Sequence, residues 1–339
     1  MKSIILTFLD LKRCNLPMTT KQRQQLLDDK AFRLSCIVPV HNEEAGIATF
    51  VPALIKSLET ITPHYEIILI DDGSKDQSRA IIEEQLLSAN VKLIAFSRNF
   101  GKEQAITAGL AHASGDATLI IDADFQHPFH IIPKMLARWT EGYDMAYGVR
   151  STREDETPSK RIFTGLFYKV MGLMSEVKIP PDAGDFRLLD KQVVQAINQC
   201  QENSRFMKGL YAWVGYRSIA IPFKPKDRFA GQSSWHFFKL FDLALTGVIS
   251  FSDFPLRAWS LIGVAISSIS LIYALWIVLS TLIFGVDVPG YATIITAVIF
   301  FGGIQLLSVG IMGEYIARIF REVKRRPPFI IAKKIGFDE

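Results

Sequence analysis

Ile67-Ile68-Leu69-Ile70-Asp71-Asp72-Gly73-Ser74-Lys75-Asp76 sets four apolar residues against a run of carboxylates, and Leu119-Ile120-Ile121-Asp122-Ala123-Asp124 repeats the pattern further along the chain. Short, wholly apolar runs of this kind read as strands covered on both faces, as in a parallel sheet. The carboxyl ends of such strands line the ligand crevice of an open α/β sheet, so both acidic clusters are expected to meet there. The first can take a nucleobase and ribose. The second can hold a divalent cation on a diphosphate, since Mg2+ or Mn2+ prefers hard oxygen ligands and keeps positions open for phosphate oxygens. Together these are the chemistry of a sugar-nucleotide site.

Outward from these two runs, strand and helix signals alternate. Leu34 to Val40, Tyr65 to Ile70, Val91 to Phe96, Ala117 to Ile121 and Tyr143 to Val149 read as strands. Between them, Glu43 to Thr60, a segment capped by Ser74 or Asp76 and running to Ser88, Lys102 to Ala113 and Ile131 to Glu141 read as helices. Such alternation predicts a doubly wound, mostly parallel sheet.

Each strand end carries polar residues. After the first comes Pro39-Val40-His41-Asn42-Glu43-Glu44, where a carboxylate and an amide can face a base or ribose, or where Asn42 can cap a helix whose dipole favours Glu43 and Glu44. After the second, Gly73 allows a tight turn while Asp72 reaches the ribose or base. After the third, Ser97-Arg98-Asn99-Phe100-Gly101-Lys102 brings cations towards the crevice. After the fourth, an extended Asp122-Ala123-Asp124-Phe125-Gln126 would place Asp122, Asp124 and Gln126 on one side, giving three oxygen donors to one cation. His127, before Pro128, reads as a structural turn residue, because imidazole is not the preferred ligand of Mg2+.

These ordered motifs resemble glycosyltransferase family 2 with its GT-A fold, and more narrowly the polyprenyl-phosphate glycosyltransferases, over residues 33 to 326. The resemblance implies that Pro39, Glu43 and Asp72 hold the nucleotide, with Val40, Asn42, Asp122 and Arg150 beside them, and that Asp122, Asp124 and Gln126 bind Mg2+ or Mn2+ and the diphosphate. Ala183-Gly184-Asp185-Phe186-Arg187 resembles the segment carrying an acceptor-side Asp, so Asp185 is the candidate catalytic carboxylate. Arg228-Phe229-Ala230-Gly231-Gln232-Ser233-Ser234-Trp235 matches a family motif with Ser234 where Lys is usual. That departure leaves Arg228 as the expected catalytic clamp on acceptor or diphosphate, with Lys226 and Ser233 at the acceptor phosphate. The implied reaction is inverting transfer of a hexose, from UDP-glucose, to undecaprenyl phosphate at the cytoplasmic membrane face, for envelope glycan modification. Mannose and aminoarabinose transfer, and a non-catalytic membrane scaffold with a degenerate transferase domain, are the alternatives. A processive polysaccharide synthase would use Gln-x-x-Arg-Trp and more spans, and Gln201 to Phe206 lacks that spacing.

The rest of the chain points to a bilayer. Trp259 to Phe284 is 26 residues without a charge and Tyr291 to Gly313 is 23, each long enough for the roughly 20 residues a membrane-spanning helix needs. The connector from Gly285 to Gly290 has no Lys or Arg, whereas Arg257 precedes the first run and Arg318, Arg321, Lys324, Arg325 and Arg326 follow the second. The positive-inside rule then places the connector outside and both termini in the cytoplasm. Arg161 to Val177 and Trp235 to Val248 show bulky residues at helical spacing and read as interfacial helices. The expected divisions are an N-terminal extension (1–30), a nucleotide-sugar-binding core (31–155), an acceptor-side segment (156–250), two transmembrane helices (251–326) and a cytoplasmic tail (327–339). Three scattered cysteines, Cys14, Cys36 and Cys200, have no zinc spacing and suit a reducing compartment. A net charge of +4 gives no sign of nucleic acid. The expected partners are a nucleotide sugar, a polyprenyl phosphate lipid, the membrane and a second copy of the chain.

Overall fold

Strand β1 (Arg33–Val40) is apolar along almost its whole length because it lies inside a sheet covered on both faces. The structure, a computed structural model, describes residues 18–151, 183–200, 202, 205–225, 290–337 and scattered helical positions within 262–283. Around β1 stand β2 (His64–Asp71), β3 (Val91–Phe96), β4 (Ala117–Ile120), β5 (Met145–Arg150), β6 (Ala183–Asp190), β7 (Ser218–Phe223) and β8 (Ile331–Ile335). They form one eight-stranded sheet in the order β7-β5-β6-β4-β1-β2-β3-β8. The pairs β1–β2, β1–β4, β2–β3 and β5–β7 are parallel. The pairs β4–β6, β5–β6 and β3–β8 are antiparallel. The expected parallel α/β core is therefore present, flanked by an antiparallel strand on each side.

Helices cover the faces. They are α1 (Thr20–Asp28), α2 (Ile47–Glu59), α3 (Ser78–Ile81, continuing as a π-helical turn through Leu86), α4 (Lys102–His112), α5 (Ile132–Thr140), α6 (Lys191–Gln199), α7 (Met207–Trp213) and α8 (Tyr291–Val323). Phe50, Val51, Leu54 and Leu58 of α2 join Leu34, Cys36, Val38, Ile67 and Leu69 in the main apolar core. The expected helix from Glu43 begins instead at Ile47, with Gly46 at its N-cap. Asn42 caps nothing: it sits in the left-handed region at φ 56° and serves a loop.

The register decides what meets at the crevice. Ile37 pairs with Ile120, and Ile121 N–H donates to Ile37 C=O. Groups on a strand alternate sides, so residue 39 also faces β4, just past the last rung. Proline, which has no N–H to offer, stands there without breaking a ladder. On the other flank Ile120 pairs antiparallel with Arg187, which brings the turn after Ile120 towards the residues before Arg187, Asp185 among them.

The chain divides into two compact units. One holds Met1–Gly165, Ile179–Trp235 and Pro327–Glu339; the other holds Leu166–Lys178 and His236–Arg326. In the second unit, one helix among the described residues is long and apolar enough to cross a membrane, over Phe300–Val323. It continues past the expected end at Gly313, and Leu306, Leu307, Ile316 and Ile319 are exposed along it. The described positions of the first apolar run are helical, while much of that run, like both expected interfacial helices, lies outside the described residues.

Residues 18–30 of the expected N-terminal extension pack onto the first unit. Thr19 caps α1 with a reciprocal capping box through Gln22. From α1, buried Arg23 donates to the carbonyls of Trp139 and Tyr143 at 3.0 Å each and pairs with Asp144 at 2.7 Å and Asp190 at 3.0 Å.

Candidate active site

Two loops at the strand ends are sewn together by backbone donors. Asn42 N–H donates to Ser74 Oγ at 3.1 Å and Lys75 N–H to Asn42 Oδ1 at 2.9 Å. Glu43 N–H donates to Ser78 Oγ at 2.7 Å, Glu44 N–H to Asp76 Oδ2 at 3.1 Å, and Gln77 N–H to Glu44 Oε2 at 2.9 Å. Asn42, expected beside the nucleotide, has its backbone N–H and its side-chain oxygen engaged in joining the two loops.

Asp72 is buried, and its two oxygens accept Phe100 N–H at 2.7 Å and Gly101 N–H at 2.9 Å. Burial raises its carboxyl above the usual range against the pull of those amides. The loop from Ser97 to Gly101 is pressed so close that a Cβ on Gly73, at φ +62°, would stand 2.3 Å from the Arg98 carbonyl carbon. Only glycine fits that place. A carboxylate has four lone-pair sites, so Asp72 can organise this loop and still accept from a ligand.

The centre of the site is Lys102. From the N-terminus of α4 its Nζ lies 2.7 Å from Asp122 and 2.9 Å from Asp185. Burial opposes the Lys102 charge, and the two carboxylates more than offset it, so its pKa is raised. Burial likewise opposes ionisation of Asp185, but Lys102, Lys208 and Arg187 hold it well below the usual carboxylate range. Asp185 Oδ1 is buried with no hydrogen-bond partner among the described residues. Beside it, burial and the Asp185 charge push the Glu103 carboxyl up to about 7, although Met207 N–H donates to it at 3.0 Å.

Asp124 and Gln126 correct one expectation. β4 ends at Ile120, and the chain from Asp122 turns, with Phe125 at φ 60°. The alternation of an extended strand therefore does not apply. Asp124 Oδ1 accepts Gln126 N–H at 3.0 Å, and the Gln126 side-chain oxygen accepts from Arg150 at 2.8 Å. The Gln126 side-chain oxygen is thus engaged by Arg150, and Asp122 and Asp124 are the two carboxylates of this turn that could give oxygen to a cation. No group of three His, Cys, Asp or Glu side chains among the described residues is set to hold a metal. A two-carboxylate set still fits Mg2+ or Mn2+, which takes its remaining ligands from substrate phosphate and water. The unpartnered Asp185 oxygen and the bridging ammonium mark the same place as one made for positive charge. His127 is buried, stacked on Phe186 at 4.7 Å, and accepts Asp122 N–H at 3.4 Å; burial lowers its pKa.

The structure thus brings Pro39, Val40, Asp72, Asp122, Asp124, Gln126, Arg150 and Asp185 to the strand-end side of one sheet, whereas Lys226, Arg228 and Ser233 lie outside the described residues. Sequence reasoning placed Lys102 only loosely, as a cation near the crevice, and missed Glu103. In a helix's first turn Glu103 reads as an ordinary dipole-favoured carboxylate; only the fold shows it beside Asp185.

The family described as Glycosyl transferase family 2 matches residues 35–197. An uncharacterized glycosyltransferase of Synechocystis is 45% identical over 308 residues, covering 91% of this chain and 97% of that protein. A bactoprenol glucosyl transferase of Shigella phage SfII is 42% identical over 304 residues, covering 89% of this chain and 98% of that protein. Among solved structures, mannosyl-3-phosphoglycerate synthase of Rubrobacter xylanophilus is similar at a TM-score of 0.45 with 13% identity, over 68% of this chain and 75% of that one.

Proposed function

The chain belongs to glycosyltransferase family 2, and from that premise we propose that it transfers a hexose from a nucleotide sugar, UDP-glucose, to a polyprenyl phosphate with inversion at the sugar carbon. The observation that carries the reading is the pair Asp122 and Asp185, facing each other across one ammonium at the strand ends of the sheet. One carboxylate belongs to the donor side and the other to the acceptor side. The 42% identity to proteins named bactoprenol glucosyl transferase supports the lipid acceptor, and the exposed apolar helix α8 supports a membrane setting.

A phosphate monoester has its second pKa at about 6 and is already a nucleophile at neutral pH. It needs positioning and charge shielding more than a base. Asp72 and the loop it organises form the floor for base and ribose, with Pro39, Val40 and Glu43 at its edge. Asp122 and Asp124 would hold Mg2+ or Mn2+, which supplies Lewis-acid stabilisation of the departing nucleotide diphosphate. Asp185, kept ionised by Lys102, orients the acceptor and keeps its phosphate in line. Arg150 closes the rim through Gln126, and Arg228, Lys226 and Ser233 supply the phosphate grip from the acceptor-side segment 156–250. The two apolar runs within 251–326 anchor the enzyme with its catalytic sheet in the cytoplasm.

The test is full-length protein in lipid with undecaprenyl phosphate and a panel of radiolabelled UDP-glucose, UDP-galactose and GDP-mannose. Label is expected in the lipid extract with UDP-glucose and a divalent cation, and in none with Asp122→Ala. Absence of lipid-linked label from every donor would overturn the reading.

A further inference from the structure

The stretch after the apolar helix, expected as a plain tail, is a strand of the catalytic sheet. β8 pairs antiparallel with β3, Leu93 opposite Ile335 and Ala95 opposite Lys333, and the register then shifts at Phe96, which pairs with Ile331. Past the shift, Ser97 N–H donates to Ile330 C=O at 3.0 Å. Ser97 is the first residue of the loop that Asp72 holds. Next to this bond Phe329 stacks on Phe96, ring centres 4.9 Å apart and 13° from parallel. Phe96 in turn meets Phe100 edge-on at 5.8 Å. Phe100 N–H is the 2.7 Å donor to Asp72 Oδ1. An unbroken run of contacts therefore leads from residue 329 to the carboxylate placed at the nucleotide.

We propose that Phe329 and Ile330 are positioning residues for the donor site, bracing the Ser97–Gly101 loop against Asp72 from the edge of the sheet. Bracing a β3 edge against unwanted pairing would be served by any strand, and Lys333 with its 2.6 Å ion pair to Glu83 does that from the middle of β8. The aromatic relay at residue 329 adds nothing to such a covering role. It does reach the loop, where aromatic pairs fix ring orientation as well as burying area. The tail also shares one chain with α8, four residues beyond Val323.

The inference rests on the reading of Asp72 as a nucleotide residue, so two measurements separate the two. Hydrogen exchange in the full-length protein, with no ligand present, is expected to show the amides of Phe100 and Gly101 exchanging about tenfold faster in Phe329→Ala than in wild type or Lys333→Ala, a change of the size of one lost aromatic contact. UDP titration is expected to show about tenfold weaker affinity in Phe329→Ala, recovery in Phe329→Tyr, and an unchanged KM for undecaprenyl phosphate. Unchanged exchange at residues 100 and 101 overturns the brace, whatever UDP does. Faster exchange with undiminished UDP affinity overturns its part in donor binding, and if Asp72→Asn also binds UDP normally it is the nucleotide assignment that has failed. Phe329→Leu, which keeps a large apolar side chain and loses the stacked ring, guards against a misfolded alanine variant; normal exchange and affinity in it would equally count against the relay.

Discussion

At Lys102 one ammonium answers two carboxylates, and that sets the chemistry open to Asp185. A carboxyl held well below its usual range stays ionised at any assay pH and is a weak base. Asp185→Asn is therefore expected to lose about 10²-fold in kcat, the scale of a positioning effect, by an amount that stays flat from pH 6 to 9. Recovery of the variant towards high pH, where the lipid phosphate is a dianion unaided, would reveal proton removal instead. Glu103 titrates in a different range. Its folded pKa of about 7 lies above the usual 4.5, so the stability it contributes is full below about pH 4.5 and is lost as pH rises through 7. Glu103→Gln is expected to flatten that part of the melting-temperature profile, and an unchanged slope between pH 5 and 8 would deny the shift. Asp72, Asp122 and Asp124 could be singled out because each closely follows an apolar run, and Asp185 through a family motif. The Glu103 environment was not, since it depends on Met207 and Asp185, which come from distant parts of the chain. Nor was the turn at Phe125, because a positive φ at a non-glycine residue leaves no mark in composition.

Elements place these residues through register, and register rests on a few buried polar hubs. Glu66 on β2 accepts from Ser35 on β1 at 2.6 Å, from Ser114 N–H at 2.9 Å, and from Lys92 on β3 at 2.7 Å. It joins three parallel strands at the end opposite the crevice. Burial works to raise its pKa, but Lys92 and the two serines bring it down to about 2. The sign is opposite to that of Glu103: the contribution is present above the usual 4.5 and lost as pH falls through 2. Thermal melts should therefore show wild type losing stability between about pH 4.5 and 2 more steeply than Glu66→Gln, and parallel curves would contradict the hub. Arg23 is the comparable device for α1. Removing one partner of a buried ion pair leaves charge without compensation, at a cost of about 3–5 kcal/mol, and Arg23→Met would strand Asp144 and Asp190 beneath Trp139. A denaturant midpoint for Arg23→Met within error of wild type would mean that α1 is dispensable. Strands β1 to β5 and helices α2 to α5 could be read from periodicity, whereas β6, β7 and β8 could not. The docking of α1 could not, because its single buried arginine lies in a segment whose polar pattern matches a solvated helix.

For the whole molecule, the sheet constrains how the chain can meet a bilayer. β7 ends at Phe223 and β8 begins at Ile331, and both belong to one sheet. The chain that leaves the sheet after β7 therefore comes back to it at β8. If α8 crosses the membrane, as its length and exposed apolar surface allow, a single crossing would strand β8 on the far side from β3, with which it pairs. On that condition the number of crossings would have to be even, and we propose the uncharged run from Trp259 to Phe284 for the second. Under the proposed anchoring, the Lys and Arg asymmetry would put Val286 to Pro289 outside and the sheet inside. A cysteine introduced at Val288 is expected to react with a membrane-impermeant maleimide in intact cells, and one at Lys334 only after permeabilisation. Equal labelling of both sites in intact cells would break the parity argument, and labelling at neither would leave α8 lying along the surface instead of through it.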